Sequence, residues 1–101
     1  MLAVFVTFDC GEGFDHQRIL GIAESAKEMF AGMPGLRLKA FTIDDEKRRA
    51  RNVYLWESEE AARAFFTPEL AQRITSFYGV PARIEFAEVA ALVDNAAAQG
   101  A

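Results

Sequence analysis

The sequence predicts an α+β fold in which an antiparallel four-stranded sheet carries helices on one face. Two observations lead there. Apolar residues change period along the chain, from alternation to spacings of three and four and back, in the order strand, helix, strand, strand, helix, strand. The two middle strands are joined by a charged link too short for a crossover, so they pair antiparallel. That order is the split βαβ, or ferredoxin-like, arrangement, a βαββαβ sandwich.

Leu2 to Phe8 is a β-branched and aromatic run that stops at Asp9-Cys10-Gly11-Glu12-Gly13, a strand followed by a glycine loop. From Asp15, a suitable N-cap, the residues Ile19, Ile22, Ala23, Ala26, Met29 and Phe30 form an amphipathic stripe, and Gly32-Met33-Pro34-Gly35 ends that helix. Leu36 to Ile43 alternates, with Leu36, Leu38 and Ala40 on one face and Arg37, Lys39 and Phe41 on the other. The connector Asp44 to Arg51 leads to a strand from Asn52 to Glu57, where Val53 and Leu55 oppose Asn52, Tyr54 and Trp56. Ser58-Glu59-Glu60 starts the second helix, with a capping hydroxyl and carboxylates at the positive end of the helix dipole. Thr67-Pro68-Glu69 repeats that signature, so the helix breaks and restarts before the apolar series Leu70, Ile74 and Phe77. After Gly79-Val80-Pro81 the alternation resumes from Ala82 to Val89, with Arg83 and Glu85 opposite Ile84 and Phe86. Residues 1–93 are expected to form a single domain, with a frayed tail over 94–101.

One helical layer covers one sheet face. The other face is expected to hold Asn52, Tyr54, Trp56, Phe41 and Phe5, a patch that needs a cover in water. A 101-residue chain that is 51% hydrophobic has a small core, which favours a homodimer. Charge selects against other partners. Eleven basic against fifteen acidic side chains, a net charge of -4, argues against nucleic acid, and the basic run Lys47 to Arg51 is partly cancelled by Asp44-Asp45-Glu46. No apolar run approaches the ~20 residues that span a bilayer, so no membrane is expected. The lone Cys10 forms no internal disulfide, and with no secretory leader pattern a cytoplasmic location is expected. One His and one Cys offer no recognised metal spacing, and Gly11-Glu12-Gly13 lacks the residues of a phosphate loop.

Gly-Leu-x-Leu-Lys-x-Phe-Thr at 35–42, Val-Tyr-Leu-Trp at 53–56 and the Ser58-Glu-Glu-Ala helix start resemble the YdhR-like branch of small monooxygenases in the dimeric α+β barrel superfamily. The resemblance spans about residues 2–93. It implies two ferredoxin-like subunits packed sheet to sheet, each with a pocket. It also implies oxidation of a small aromatic or polycyclic substrate by molecular oxygen with no cofactor. The related antibiotic-biosynthesis enzymes carry an Asn and a Trp four residues apart on the third strand, which Asn52 and Trp56 match. A tyrosine and an arginine that those enzymes use in and beyond the second helix have no counterpart at the expected places, Ala62 standing near the first.

For such chemistry Asn52 is suited to donate to a developing oxyanion, Trp56 to orient a flat ring and Tyr54 to position or exchange a proton. Lys39 is a candidate electrostatic partner, with Phe41, Phe5 and Arg83 as further substrate-binding candidates. His16, the only imidazole, is a candidate base at the pocket mouth. A surface histidine needs no role, and an aromatic strand face also serves plain dimer packing. A non-catalytic ligand-binding or structural dimer and a muconolactone-isomerase type of enzyme therefore stand as alternatives.

Overall fold

The computed structural model describes residues 1–96. Strands β1 (Leu2–Asp9), β2 (Leu36–Asp44), β3 (Arg49–Trp56) and β4 (Arg83–Glu88) form one antiparallel sheet in the order β2-β3-β1-β4. Helices α1 (His16–Phe30), α2 (Glu59–Phe65) and α3 (Pro68–Tyr78) supply the second layer. This is the ferredoxin-like α+β fold expected from the order of elements.

Each helix starts where its chemistry allows. Asp15 accepts from the Arg18 amide, Ser58 from Ala61 and Thr67 from Leu70, so an orphan N–H of each first turn is satisfied. Pro68 occupies the first turn of α3, where a missing amide hydrogen costs nothing. Gly79 ends α3 in the left-handed region at φ 77°, its amide bonded to the Thr75 carbonyl at 2.8 Å. A short 3-10 turn, Gly11–Gly13, fills what the sequence marks only as a glycine loop.

The hairpin differs from expectation. β3 begins at Arg49 rather than Asn52, and the turn narrows to the residues before it, with Arg48 at φ 52°. Alternation explains this: Ala50 is fully buried, while Arg49 and Arg51 point to the opposite face and make a strand look like a basic connector. In β2 a bulge between Leu36 and Leu38 splits two residues expected on one face. Leu36 pairs with Trp56 and Leu38 with Leu55.

The largest correction concerns the two faces of the sheet. Leu2, Val4, Val6 and Phe8 of β1 pair with Trp56, Tyr54, Asn52 and Ala50 of β3, and these rows face the helices. Asn52, Tyr54 and Trp56 are therefore covered by the chain's own helices, at 5%, 2% and 1% exposure, and need no partner subunit to shield them. The face without helices carries Ala3, Phe5, Leu38, Val53 and Leu55 at one end and the charged Asp9, Arg51 and Arg83 at the other, with Glu85 beside Phe5 and reaching Arg83. Beyond β4 the chain returns towards the far edge, where Asp94 meets Arg37 of β2 at 3.6 Å. Of the tail expected over 94–101, residues 97–101 lie outside the described residues.

Gly35 marks a close approach of the chain to α2. Its φ is +81°, a Cβ there would stand 2.7 Å from the Ala61 Cβ, and its carbonyl accepts from the Glu57 amide at 2.8 Å. Gly32, at φ +71°, has open space around it. Gly32→Ala should therefore cost about 1 kcal/mol from backbone conformation alone. Gly35→Ala should cost a further ~1–3 kcal/mol, because α2 must move. Chemical denaturation of both variants checks the difference.

Candidate functional site

Between the sheet and helices α1 and α3 lies a pocket of about 170 Å³. Its floor is Lys39 and Phe41 of β2 with Asn52 and Tyr54 of β3, and its walls include Ile22, Met29 and Phe30 of α1 and Leu70, Ile74, Phe77 and Tyr78 of α3. The strand pairing sets this floor directly, since Lys39 stands opposite Tyr54 and Phe41 opposite Asn52. A second hollow adjoins it on the other side of Lys39, Phe30 and Phe41.

The polar groups are few and distinct. The Lys39 ammonium sits 3.3 Å over the Phe30 ring centroid, 4.1 Å over Phe41 and 4.3 Å over Tyr54, a cage of aromatic faces. Burial lowers its pKa to about 7. Tyr54 and Tyr78 shift the other way, each pushed up mainly by burial, so both phenols stay protonated and can donate. Asn52 Nδ2 donates to the Tyr78 hydroxyl in a long contact of 3.5 Å. Tyr78 is held by its ring, stacked on Phe8 at 3.7 Å and 11°. Arg73, exposed on α3, borders the pocket.

The sequence candidates separate into those at the pocket and those away from it. Asn52, Tyr54, Lys39 and Phe41 line it together. Trp56 does not reach it: the indole packs behind Tyr54, with rings 6.1 Å apart and nearly parallel, and against Phe65 at 5.2 Å. Its Nε1 is buried without a hydrogen-bond partner among the described residues. His16 lies at the start of α1, its Nδ1 2.7 Å from Asp45 Oδ1, and pins the helix to the β2–β3 turn rather than facing the pocket. Phe5 and Arg83 point to the helix-free face, Phe5 beneath the Arg51 guanidinium at 4.7 Å and Arg83 bonded to Asp9 at 3.0 Å. Cys10 is half-buried, and burial raises its thiol pKa, which disfavours the reactive thiolate.

Tyr78 and Arg73 are the site residues that the sequence reading missed. The signal was present: Leu70, Ile74 and Tyr78 fall four apart on one stripe of α3. No group of three or more His, Cys, Asp or Glu side chains able to hold a metal occurs among the described residues. No helix among them is long and apolar enough to cross a membrane.

A family model described as "Putative mono-oxygenase ydhR" matches residues 4–92. No curated protein matches the sequence. Among solved structures, the monooxygenase from the gene ActVA-Orf6 of Streptomyces coelicolor, in complex with nanaomycin D, superposes with a TM-score of 0.67 at 20% identity, covering 91% of this chain and 89% of that one. A mutant form of SnoaB of Streptomyces nogalater, a cofactor-independent oxygenase, gives 0.62 at 14%, covering 91% and 96%. A dimeric ferredoxin-like protein of unknown function from Thermobifida fusca gives 0.66 at 12%, covering 87% and 90%. At such identities the likeness is one of fold.

The buried amine has a measurable signature. Lys39 is lowered from 10.5 to about 7 on folding, so the cost of charging it in the folded state is absent above pH 10.5, grows as pH falls and is complete below about 7. The stability of Lys39→Met relative to the native protein should rise by on the order of a few kcal/mol across that window and level off below it. Urea midpoints of both proteins against pH test this.

Proposed function

The chain belongs to the ydhR mono-oxygenase family, and on that premise we propose that it is a cofactor-independent monooxygenase acting on a small aromatic compound in the pocket between the sheet, α1 and α3. The observation that carries the reading is one amine, one amide and two phenols converging on a pocket whose other walls are apolar apart from Arg73 at its border. SnoaB, a cofactor-independent oxygenase, and the ActVA-Orf6 monooxygenase share the fold.

The chemistry asks for what those groups offer. A phenol oxidised by dioxygen yields a quinone and water, with one oxygen atom entering the ring and the substrate supplying every electron. The substrate must first lose a proton, and Lys39, poised near neutrality, is the base. Negative charge then develops on the ring oxygen and on the incoming dioxygen. Asn52 and the protonated Tyr78 and Tyr54 hydroxyls stabilise it by donation in a site walled mostly by apolar side chains. Trp56 acts at one remove, fixing the Tyr54 ring.

We place a homodimer on the helix-free sheet face. Leu38 is exposed and Val53 half-buried there, and the Thermobifida fusca neighbour is dimeric. Val53→Arg should then shift the protein to monomer in sedimentation without unfolding it.

Oxygen uptake is the direct test of the reaction. The purified protein should consume dioxygen with members of a panel of hydroquinones, simple phenols and anthrones, and Asn52→Ala should lower kcat by ~10²-fold. No uptake with any member, and no difference between the two proteins, would sink the proposal.

A further inference from the structure

Taking from the monooxygenase reading only the identity of the site, we infer that the pocket receives a single-ring phenol as its phenolate. The phenolate oxygen pairs with the Lys39 ammonium, and any apolar tail runs out along the groove between α1 and α3.

Size sets the ring count. The pocket holds about 170 Å³, close to the ~150 Å³ apolar cavity that takes up benzene. One ring fills it, and a rigid fused three-ring system would have to protrude into the adjoining groove. Direction follows from continuity: a groove along α1 and α3 shares Ile22, Ala26, Met29 and Phe77 with the pocket. Met29 and Phe77 form an apolar rim there, 66% and 52% exposed. A para substituent leaving the ring opposite Lys39 finds this rim before water.

Charge selects the ionised form. Among the described residues, no Asp or Glu lines the pocket or the hollow on the far side of Lys39. The charged or titratable groups around the amine are Lys27 from α1, Arg37 from β2, Tyr54 from β3, and Arg73 and Tyr78 from α3. Lys27 is paired with Glu24 at 2.8 Å and Arg37 with Asp94 at 3.6 Å, so inside the pocket an entering anion meets Lys39, Arg73 at the border, the Asn52 amide and the protonated phenols. Above about pH 7 the amine is mostly neutral and takes the proton from the phenol O–H; below it the amine is already charged and that proton passes to water. Either way the bound pair is ammonium and phenolate, and no other bond changes. Restoring a partner to the buried ammonium offsets part of the desolvation cost that lowered its pKa.

Binding under nitrogen separates this inference from oxygenation. The probe is 4-nitrophenol, colourless as the phenol and yellow as the anion, in mildly acidic buffer where the free compound is colourless. The native protein should turn it yellow on binding. Lys39→Met should bind it at least about tenfold more weakly and leave it colourless. 4-Nitrophenol and 4-propylphenol should also bind at least about tenfold more tightly than anthrone. A colourless native complex, a yellow Lys39→Met complex, tighter binding of anthrone, or no binding of either single-ring phenol overturns the inference. Should Lys39→Met fail to fold, the native spectrum decides alone. A protein that binds in this way and consumes no dioxygen defeats the oxygenase reading and leaves this one standing. Uptake with anthrone alone does the reverse.

Discussion

A layer of aromatic rings joins the sheet to its helices and decides where empty space can exist. Tyr54 meets Phe66 at 4.9 Å edge to face, Phe65 meets Phe66 at 5.0 Å in the same manner, and Trp56 packs on Phe65 at 5.2 Å. Phe30 of α1 adds edge contacts to Phe41, Tyr54 and Phe65, each near 6 Å. Pairs of this kind contribute about 0.5–1.5 kcal/mol each beyond the area they bury. The rings crowd one end of the sheet. Where the layer thins, between Phe30 and the last turns of α3, the pocket opens.

That arrangement explains what could be read beforehand. Alternation in β3 shows that Asn52, Tyr54 and Trp56 share a face, and the pairing with β1 and β2 confirms it. Alternation is silent on which face the helices cover, because Val53 and Leu55 on one side are as apolar as Tyr54 and Trp56 on the other. The bulge in β2 is equally hidden, since one extra residue leaves no compositional mark. Arg49 and Arg51 disguised a strand as a connector, yet the fully buried Ala50 between them fits the period of two. The helix caps at Asp15, Ser58 and Thr67 were legible because capping is local chemistry. The long-range meeting of Tyr78 with Asn52 was not, for the two residues stand 26 apart in sequence.

The charges are sorted as strictly as the rings. Asp9, Arg83 and Glu85 pair on the helix-free face, Arg49 approaches Asp44 at 4.0 Å, and Arg63 bonds Glu59 along α2. Exposed pairs like these contribute only about 0–1 kcal/mol, so their placement matters more than their strength. By keeping carboxylates at the periphery the fold leaves Lys39 among rings, without the neighbour that would hold its proton. A residue near the surface thus acquires the character of an interior amine.

The break at Thr67-Pro68 separates two duties that one continuous helix would have combined. α2 braces the aromatic layer, and α3 is fastened at its two ends, by the Thr67 cap on Leu70 and by the Tyr78 ring on Phe8. Between those anchors, Leu70, Arg73 and Ile74 border the ligand space. The three are not equal in that role: Arg73 is exposed and borders the space without supporting the fold, whereas Ile74 also packs against the buried core, so a change there alters pocket and packing together.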